Sequence, residues 1–273
     1  MIHIGNYIEQ GINWLTDYFA PFFDTLNAIV GGFIEGFQHI LYAIPAYIMI
    51  PALALLGWYK VGKSIAVFTL LGLWLIYSMG FWEATMQTLA LVLSSTSIAL
   101  LLGIPLGIWT AYNKSCNQIV RPILDFMQTM PAFVYLIPAV LFFGLGTVPG
   151  AFATIIFAMP PVVRLTGLGI RQVPLEITEA SLSFGATPWQ LLYKVQFPLA
   201  LPTILTGVNQ TIMMSLSMVV IAAMILAGGL GEVVLKGITQ MKIGLGFEGG
   251  IAVVILAIIL DRITQGIAQK KKK

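Results

Sequence analysis

Apolar runs long enough to cross a lipid bilayer recur along this 273-residue chain, separated by short polar segments. A hydrocarbon core of about 30 Å needs roughly 20 helical residues at 1.5 Å each. Such stretches fall at about 41–59, 63–81, 86–111, 128–146, 148–166, 202–227 and 247–265. In lipid the backbone must satisfy its own N–H and C=O groups, which helices do within one segment. The expected fold is therefore all-α, a polytopic membrane helix bundle of about seven transmembrane helices. Its weakest span is the last, whose unbroken apolar run Gly249–Leu260 needs flanking glycines to reach across. Charged residues make up 9% of the chain, too few for the surface of a soluble globule, where about 25–35% is usual.

Lys and Arg in short loops stay on the cytoplasmic side. With the C-terminus inside, Lys60, Lys63, Lys114, Arg121, Arg164, Arg171, Lys194, Arg262 and Lys270–Lys273 all fall inside, and only Lys236 and Lys242 face outward. An odd number of spans then puts the N-terminus outside. Consistently, the first 59 residues carry Glu9, Asp17, Asp24 and Glu35 but no Lys or Arg. With no basic region followed by an early apolar core, no cleavable leader is expected. The single cysteine, Cys116, sits in a predicted inner loop and offers no intrachain disulfide. The basic tail reads as a stop-transfer anchor, or as a contact with anionic headgroups.

Before the first span, Ile4, Ile8, Ile12, Leu15, Phe19 and Phe22 recur at helical spacing, with Glu9, Asn13, Thr16 and Asp17 on the remaining arc. Pro21 interrupts this stretch, and Leu26, Ile29, Val30, Phe33 and Phe37 form a second apolar face. Both are expected to lie on the outer membrane surface as amphipathic helices. Gly103, Pro105 and Gly107 near the inner half of the third span predict a kinked or broken helix, which either lines a cavity or is a packing kink.

Several chemistries find no support. Gly57, Gly62, Lys63 and Ser64 fit the phosphate-binding pattern GxxxxGK[ST]. Here the pattern joins two membrane spans and includes bulky Trp58 and Tyr59, so it is read as coincidence. The histidines are His3 and His39, both in the outer tail, and no catalytic or metal-ligand constellation accompanies them. No run of intramembrane acids marks a proton relay, which disfavours an ion-coupled secondary carrier. Trp58, Trp82 and Trp109 fall at span ends, where aromatic belts sit, and only Trp74 lies within a span. An aromatic cage for a cation within this chain is therefore not expected.

The inner segment between Arg164 and Leu201 is unusually long for such a bundle, and long loops in compact domains are usually functional. Pro174 suits the first turn of a helix, Glu176 and Glu179 favour its N-terminal dipole, and Gly185 ends it in a left-handed conformation. Thr187, Pro188 and Gln190 then start a second helix with a capping box, and Pro198 with Pro202 is expected to halt it before the next span. Two short helices at an angle would stand as a knob on the cytoplasmic face.

Glu179, Ala180 and Ser181, then Gly185 and the run Phe197–Pro202 (FPLALP), resemble the EAA loop of binding-protein-dependent ABC permeases. Ser181 stands where that pattern usually has Ala, a change between small residues. The resemblance spans roughly residues 85–265. GVNQTIMMSLSMVVIAAMILAGGLG and IILDRITQG are similar to permeases for glycine betaine and proline betaine. It implies an EAA-type cytoplasmic coupling loop with Glu176, Glu179, Ala180, Ser181 and Gly185 at the contact with a cytoplasmic ABC ATPase. It also implies a second permease copy in a homodimer, an extracytoplasmic substrate-binding protein, and ATP with Mg²⁺ on the ATPase. This chain would hold no cofactor and bind no nucleic acid. Other cargo, such as choline, carnitine or an amino acid, stays open at this point.

Thr206, Asn209, Gln210, Met213 and Ser217 lie along one face of the span after the loop. They either line a translocation pathway or act as polar glue between helices. The expected organisation is an extracytoplasmic amphipathic segment at 1–40, two spans at 41–84, a permease core at 85–267 containing the loop at 167–201, and a basic cytoplasmic tail at 268–273. The expected location is the bacterial cytoplasmic membrane.

Overall fold

The computed structural model describes Gly11, Trp14 and residues 18–269, with side chains through Ile267. Most of the first amphipathic stretch, from Ile4 through Asp17, lies outside the described residues, as does the basic run Lys270–Lys273. All regular structure among the described residues is helical.

Helices α1 (Ala20–Ala43) and α2 (Ala46–Lys60) meet at 100°. Ile44 is extended because Pro45 disfavours a helical residue before it, and Pro45 then opens α2. Helix α3 (Lys63–Ser78) returns across the bundle, and α4 (Trp82–Tyr112) is a 31-residue rod. Helix α5 (Lys114–Thr129) and the short 3₁₀ turn Ala132–Tyr135 leading into α6 (Leu136–Phe143) are bent by 110°. Pro131 is the cause, since Met130 before it takes extended geometry.

Helix α7 (Thr147–Arg171) is followed by α8 (Leu175–Ser183) and by α9, a continuous 36-residue helix over Pro188–Ala223. Helix α10 (Gly229–Thr239) is short, and α11 (Ile243–Gln269) closes the described chain.

Seven crossings are expected, but among the described residues only α4, α7, α9 and α11 are single helices long and apolar enough to cross a membrane; the bent pairs α1–α2 and α5–α6 raise the number to at most six, and α3, at 16 residues, is shorter. The stretches differ from expectation in detail as well. The stretch 128–146 is not a straight span, because the break at Met130–Pro131 leaves only α6 and its leading turn on the outer side. Helix α4 is neither broken nor interrupted at Gly103, Pro105 and Gly107. There the glycines remove bulk where α7 presses in: a Cβ on Gly103 would lie 2.5 Å from Val162 Cγ1, and one on Gly107 2.6 Å from Thr166 Cβ. The last span extends beyond its short unbroken apolar run at both ends, since α11 runs for 27 residues. Its flanking Gly249 packs on Val233 and Val234 of α10.

Tyr18 is helical, the chain turns at Phe19, and Pro21 lies in the first turn of α1, so a new helix begins at the proline as expected. The buried face of α1 is Val30 and Ile34, packed with Leu91, Ala151, Ala222 and Ala227, whereas Ile29 and Phe33 are exposed. This helix is thus docked on the bundle through a stripe offset from the predicted one. The main core joins α2, α3, α4, α9 and α11 through Met49, Ile76, Met86, Leu216 and Ile259.

The ends of the bundle are distinct. At one end Thr110, Tyr112, Arg171 and Gln196 meet. At the other, Gly146 N–H donates to the Ile225 carbonyl at 2.8 Å, and the first amides of α10 are received by α4: Gly229 donates to Gln87 Oε1 at 2.9 Å and Leu230 to Thr88 Oγ1 at 2.8 Å. The basic residues collect at the first end, which makes it cytoplasmic.

Candidate functional site

The cytoplasmic end carries a knob made of α8 and the first turns of α9. Pro174 sits at the N-cap of α8, one position earlier than predicted, and Glu176 lies in its first turn. None of the described residues of α8 is buried. The helix ends in a Schellman motif: Ala186 N–H donates to the Ser181 carbonyl at 3.1 Å, and Gly185 N–H to the Leu182 carbonyl at 2.9 Å. The motif places Gly185 at φ +82°, where a residue without Cβ is unstrained.

Two residues on, Thr187 caps α9. Its hydroxyl accepts from Gln190 N–H at 3.3 Å, while Gln190 Oε1 accepts from Thr187 N–H at 3.0 Å, a complete capping box. Bend and cap together set the angle between the two knob helices through local hydrogen bonds. The knob therefore presents its side chains outward while keeping one shape.

Contrary to expectation, Pro198 and Pro202 do not halt the chain. Leu191–Gln196 widens to π-helical bonding, shown by Phe197 N–H donating to the Leu192 carbonyl five residues back. The wide turn makes room just where the Pro198 ring and its missing N–H would otherwise disturb an α-helix. Helix continuity is kept, so knob and membrane span are one piece. The widened turn is seated by Leu192, which packs with Ile170, Ala200 and Ile204. The Tyr112 hydroxyl donates to the buried Gln196 Oε1, anchoring the same turn to α4.

Glu176, Glu179, Ala180 and Gly185 are all exposed on the knob, and Ser181 is half-buried with its hydroxyl donating to the Ile177 carbonyl at 2.7 Å. Sequence reasoning missed the apolar side chains around the bend. Phe184 is 93% exposed and Trp189 73%, beside exposed Leu182 and Tyr193. An aromatic cluster projecting from the membrane end has the composition of an interface anchor, where Trp and Tyr are enriched. The available signal was an aromatic residue directly before the bend glycine.

The stripe on α9 divides. Thr206, Gln210, Met213 and Ser217 are exposed and follow one face. Thr206 and Ser217 donate to the carbonyls of Pro202 and Met213, both at 3.0 Å, so they present little free polarity. Asn209 leaves the stripe: its Nδ2 donates to Asp261 Oδ1 on α11 at 2.8 Å, and Asp261 Oδ1 also accepts from Gln265 at 2.7 Å. At Asn209 the polar glue reading describes the geometry. A polar face on a long apolar helix, left uncovered by this chain, is suited to a second subunit or a solute path.

Residues 103–273 match the family described as binding-protein-dependent transport system inner membrane component. The chain is 50% identical to the glycine betaine/proline betaine transport system permease protein ProW of Escherichia coli, covering 100% of this chain and 77% of that one. It is 51% identical to the glycine betaine transport system permease protein OpuAB of Bacillus subtilis, covering 99% and 96%. A third relative, the glycine betaine/carnitine transport permease protein GbuB of Listeria monocytogenes, is 50% identical and covered over 99% and 97%. The fold is similar to that of the MetNI methionine ABC transporter solved in inward-facing conformations, with a TM-score of 0.62 at 22% identity over 68% of this chain and 94% of that one. An all-helical bundle with this knob at its basic end, matched in fold and over its full length in sequence, makes the chain a member of the family of binding-protein-dependent transport system inner membrane components.

Proposed function

We propose that this chain is the permease subunit of an ATP-driven importer for glycine betaine and proline betaine-type compatible solutes. Two copies form the translocation unit, a cytoplasmic ABC ATPase binds the knobs and holds ATP and Mg²⁺, and an extracytoplasmic binding protein delivers the solute. The observation that carries this reading is the knob itself, an exposed aromatic bend continuous with a membrane-spanning helix. A piece with that shape transmits motion.

Glu176, Glu179, Ala180, Ser181 and Gly185 form the ATPase contact, with Phe184 and Trp189 as its apolar anchors. Thr206, Gln210, Met213 and Ser217 face the solute path, whereas Asn209 secures α9 to α11. The names of the relatives support the choice of cargo. The test is uptake of radiolabelled glycine betaine into liposomes containing permease, ATPase and binding protein. ATP-dependent accumulation, lost when the ATPase is omitted, is expected. Uptake that persists without ATP and collapses with an ionophore would make the chain an ion-coupled carrier and sink the proposal.

A further inference from the structure

Three guanidinium groups line one cavity at the cytoplasmic end, and only one carboxylate answers them. The cavity, about 360 Å³, lies between α5 and α7 beside the last turn of α4, with Arg121, Asp125, Arg164 and Arg171 in its walls. Arg164 Nη2 donates to Asp125 Oδ1 at 2.5 Å. Arg171 Nη1 donates to the Thr110 carbonyl at 3.2 Å, one of the last carbonyls of α4 that no following turn can satisfy. Arg121 enters no ion pair among the described residues. Arg164 Nε is buried with no hydrogen-bond partner among them. Three cations against one anion leave a surplus of two, around a space large enough for a phosphate group.

The position of the cavity indicates the source of that phosphate. Arg171 ends α7, and Arg164, seven residues earlier, lies about 10 Å deeper along the helix. The charges thus follow the bundle wall inward from the cytoplasmic end, through the level of the inner-leaflet headgroups. The outer face of α5 carries exposed Ile119, Ile123 and Phe126 at helical spacing, while Arg121, Leu124 and Asp125 turn to the cavity. Helix α5 is bent by 110° from α6, as suits an amphipathic helix in the membrane surface. Acyl chains would meet the apolar face, and the arginine forks would meet the phosphate, whose geometry they match in paired hydrogen bonds.

We propose that the cavity formed by Arg121, Arg164 and Arg171 is a binding site for the phosphate group of an anionic inner-leaflet lipid. The site is independent of the transported solute. Arg121 is its free arm, and Arg164 and Arg171 are fixed in place by Asp125 and the end of α4.

The test uses the complete transporter, ATPase included, purified in detergent and stripped of lipid. Phosphatidylglycerol, phosphatidylcholine and inorganic phosphate are titrated in turn, with retained lipid counted by native mass spectrometry and stability followed by thermal unfolding. Phosphatidylglycerol is expected to be retained and to raise the unfolding midpoint, with phosphatidylcholine retained less. Arg121→Gln weakens retention about tenfold, the loss of one charge-assisted contact. Arg121→Lys, which keeps the charge without the fork, falls between the two. Lys63→Gln removes one charge at an exposed turn of the same end and leaves retention unchanged.

Equal weakening by Arg121→Gln and Lys63→Gln would reduce the effect to bulk electrostatics and overturn the proposal. Stabilisation by inorganic phosphate alone, abolished by Arg121→Gln, would make the ligand a free anion instead of a lipid. Retention seen only after the ATPase is removed would assign the cavity to a subunit contact. No uptake is measured, so the result stands whatever the cargo proves to be.

Discussion

Asn209 Nδ2 donates to Asp261 Oδ1 at 2.8 Å and thereby joins α9 to α11. The other large polar side chain nearby, Gln210, is exposed and makes no such bond among the described residues. Neighbours in sequence therefore have opposite consequences. Asn209→Ala leaves Asp261 short of a donor in a half-buried site and costs about 1–3 kcal/mol, read as a lowered unfolding midpoint in detergent. Gln210→Ala leaves that midpoint within about 0.5 kcal/mol of wild type but lowers uptake. A reversed pattern would exchange the roles assigned to the two residues.

Gly185→Val places a β-branched residue at φ +82°. Left-handed geometry costs an ordinary residue about 1–2 kcal/mol, and more for a β-branched one. The knob relaxes to another angle while the membrane helices still insert. Membrane yield should be near normal and ATP-dependent uptake lost. Uptake at the wild-type rate would show that the bend angle is irrelevant to coupling.

Phe184→Ala removes the most exposed aromatic of the knob without touching its backbone bonds. If Phe184 is an anchor, affinity of the permease for its ATPase falls by at least about tenfold, the scale of a loss above 1 kcal/mol at an interface. Copurification from detergent at graded salt measures it. Undiminished affinity would remove Phe184 from the contact.

Thr187→Ala abolishes one bond of the capping box and should cost the knob about 1 kcal/mol, whereas Thr187→Ser keeps the oxygen and the cap. Hydrogen exchange of amides 187–196 reports this locally. Faster exchange in the Ala variant alone is expected.

Gly107→Ala and Gly32→Ala make the same chemical change in opposite surroundings. A Cβ at Gly107 would stand 2.7 Å from the Val163 carbonyl oxygen, while one at Gly32 meets nothing within 4 Å. The first should destabilise by about 1–3 kcal/mol through overpacking. The second should be neutral or stabilise by up to about 1 kcal/mol through helix propensity. Thermal unfolding of the two variants side by side decides it.

The knob was legible because its geometry is local. Gly185 and the Thr187–Gln190 pair act within a few residues, so spacing alone reveals the bend and the start of the next helix. The prolines misled for the opposite reason. Pro198 reads as a stop, but the widened turn that accommodates it depends on Leu192 and Gln196 finding partners on α4 and α7, which are distant in sequence. Gly103 and Gly107 read as a break, yet what they answer is the approach of Val162 and Thr166. Helical spacing puts Asn209 on the same stripe as Gln210, and only the position of Asp261 separates them. The bend in the stretch 128–146 was signalled by Pro131, but hydropathy averaged over the segment conceals a single extended residue.

The unbroken course of α9 has a mechanical corollary. At 1.5 Å per residue its 36 residues reach about 54 Å, with no loop at which the two ends could move separately. It is seated against α7 where Gly169 meets Ala200 and Thr203 and where Gly207 meets Val162 and Leu165, close to the middle of its length. A helix held there behaves as a lever pivoted near its centre. A small tilt of the cytoplasmic arm swings the extracytoplasmic tip the other way, so opening on one side and sealing on the other would follow from one displacement.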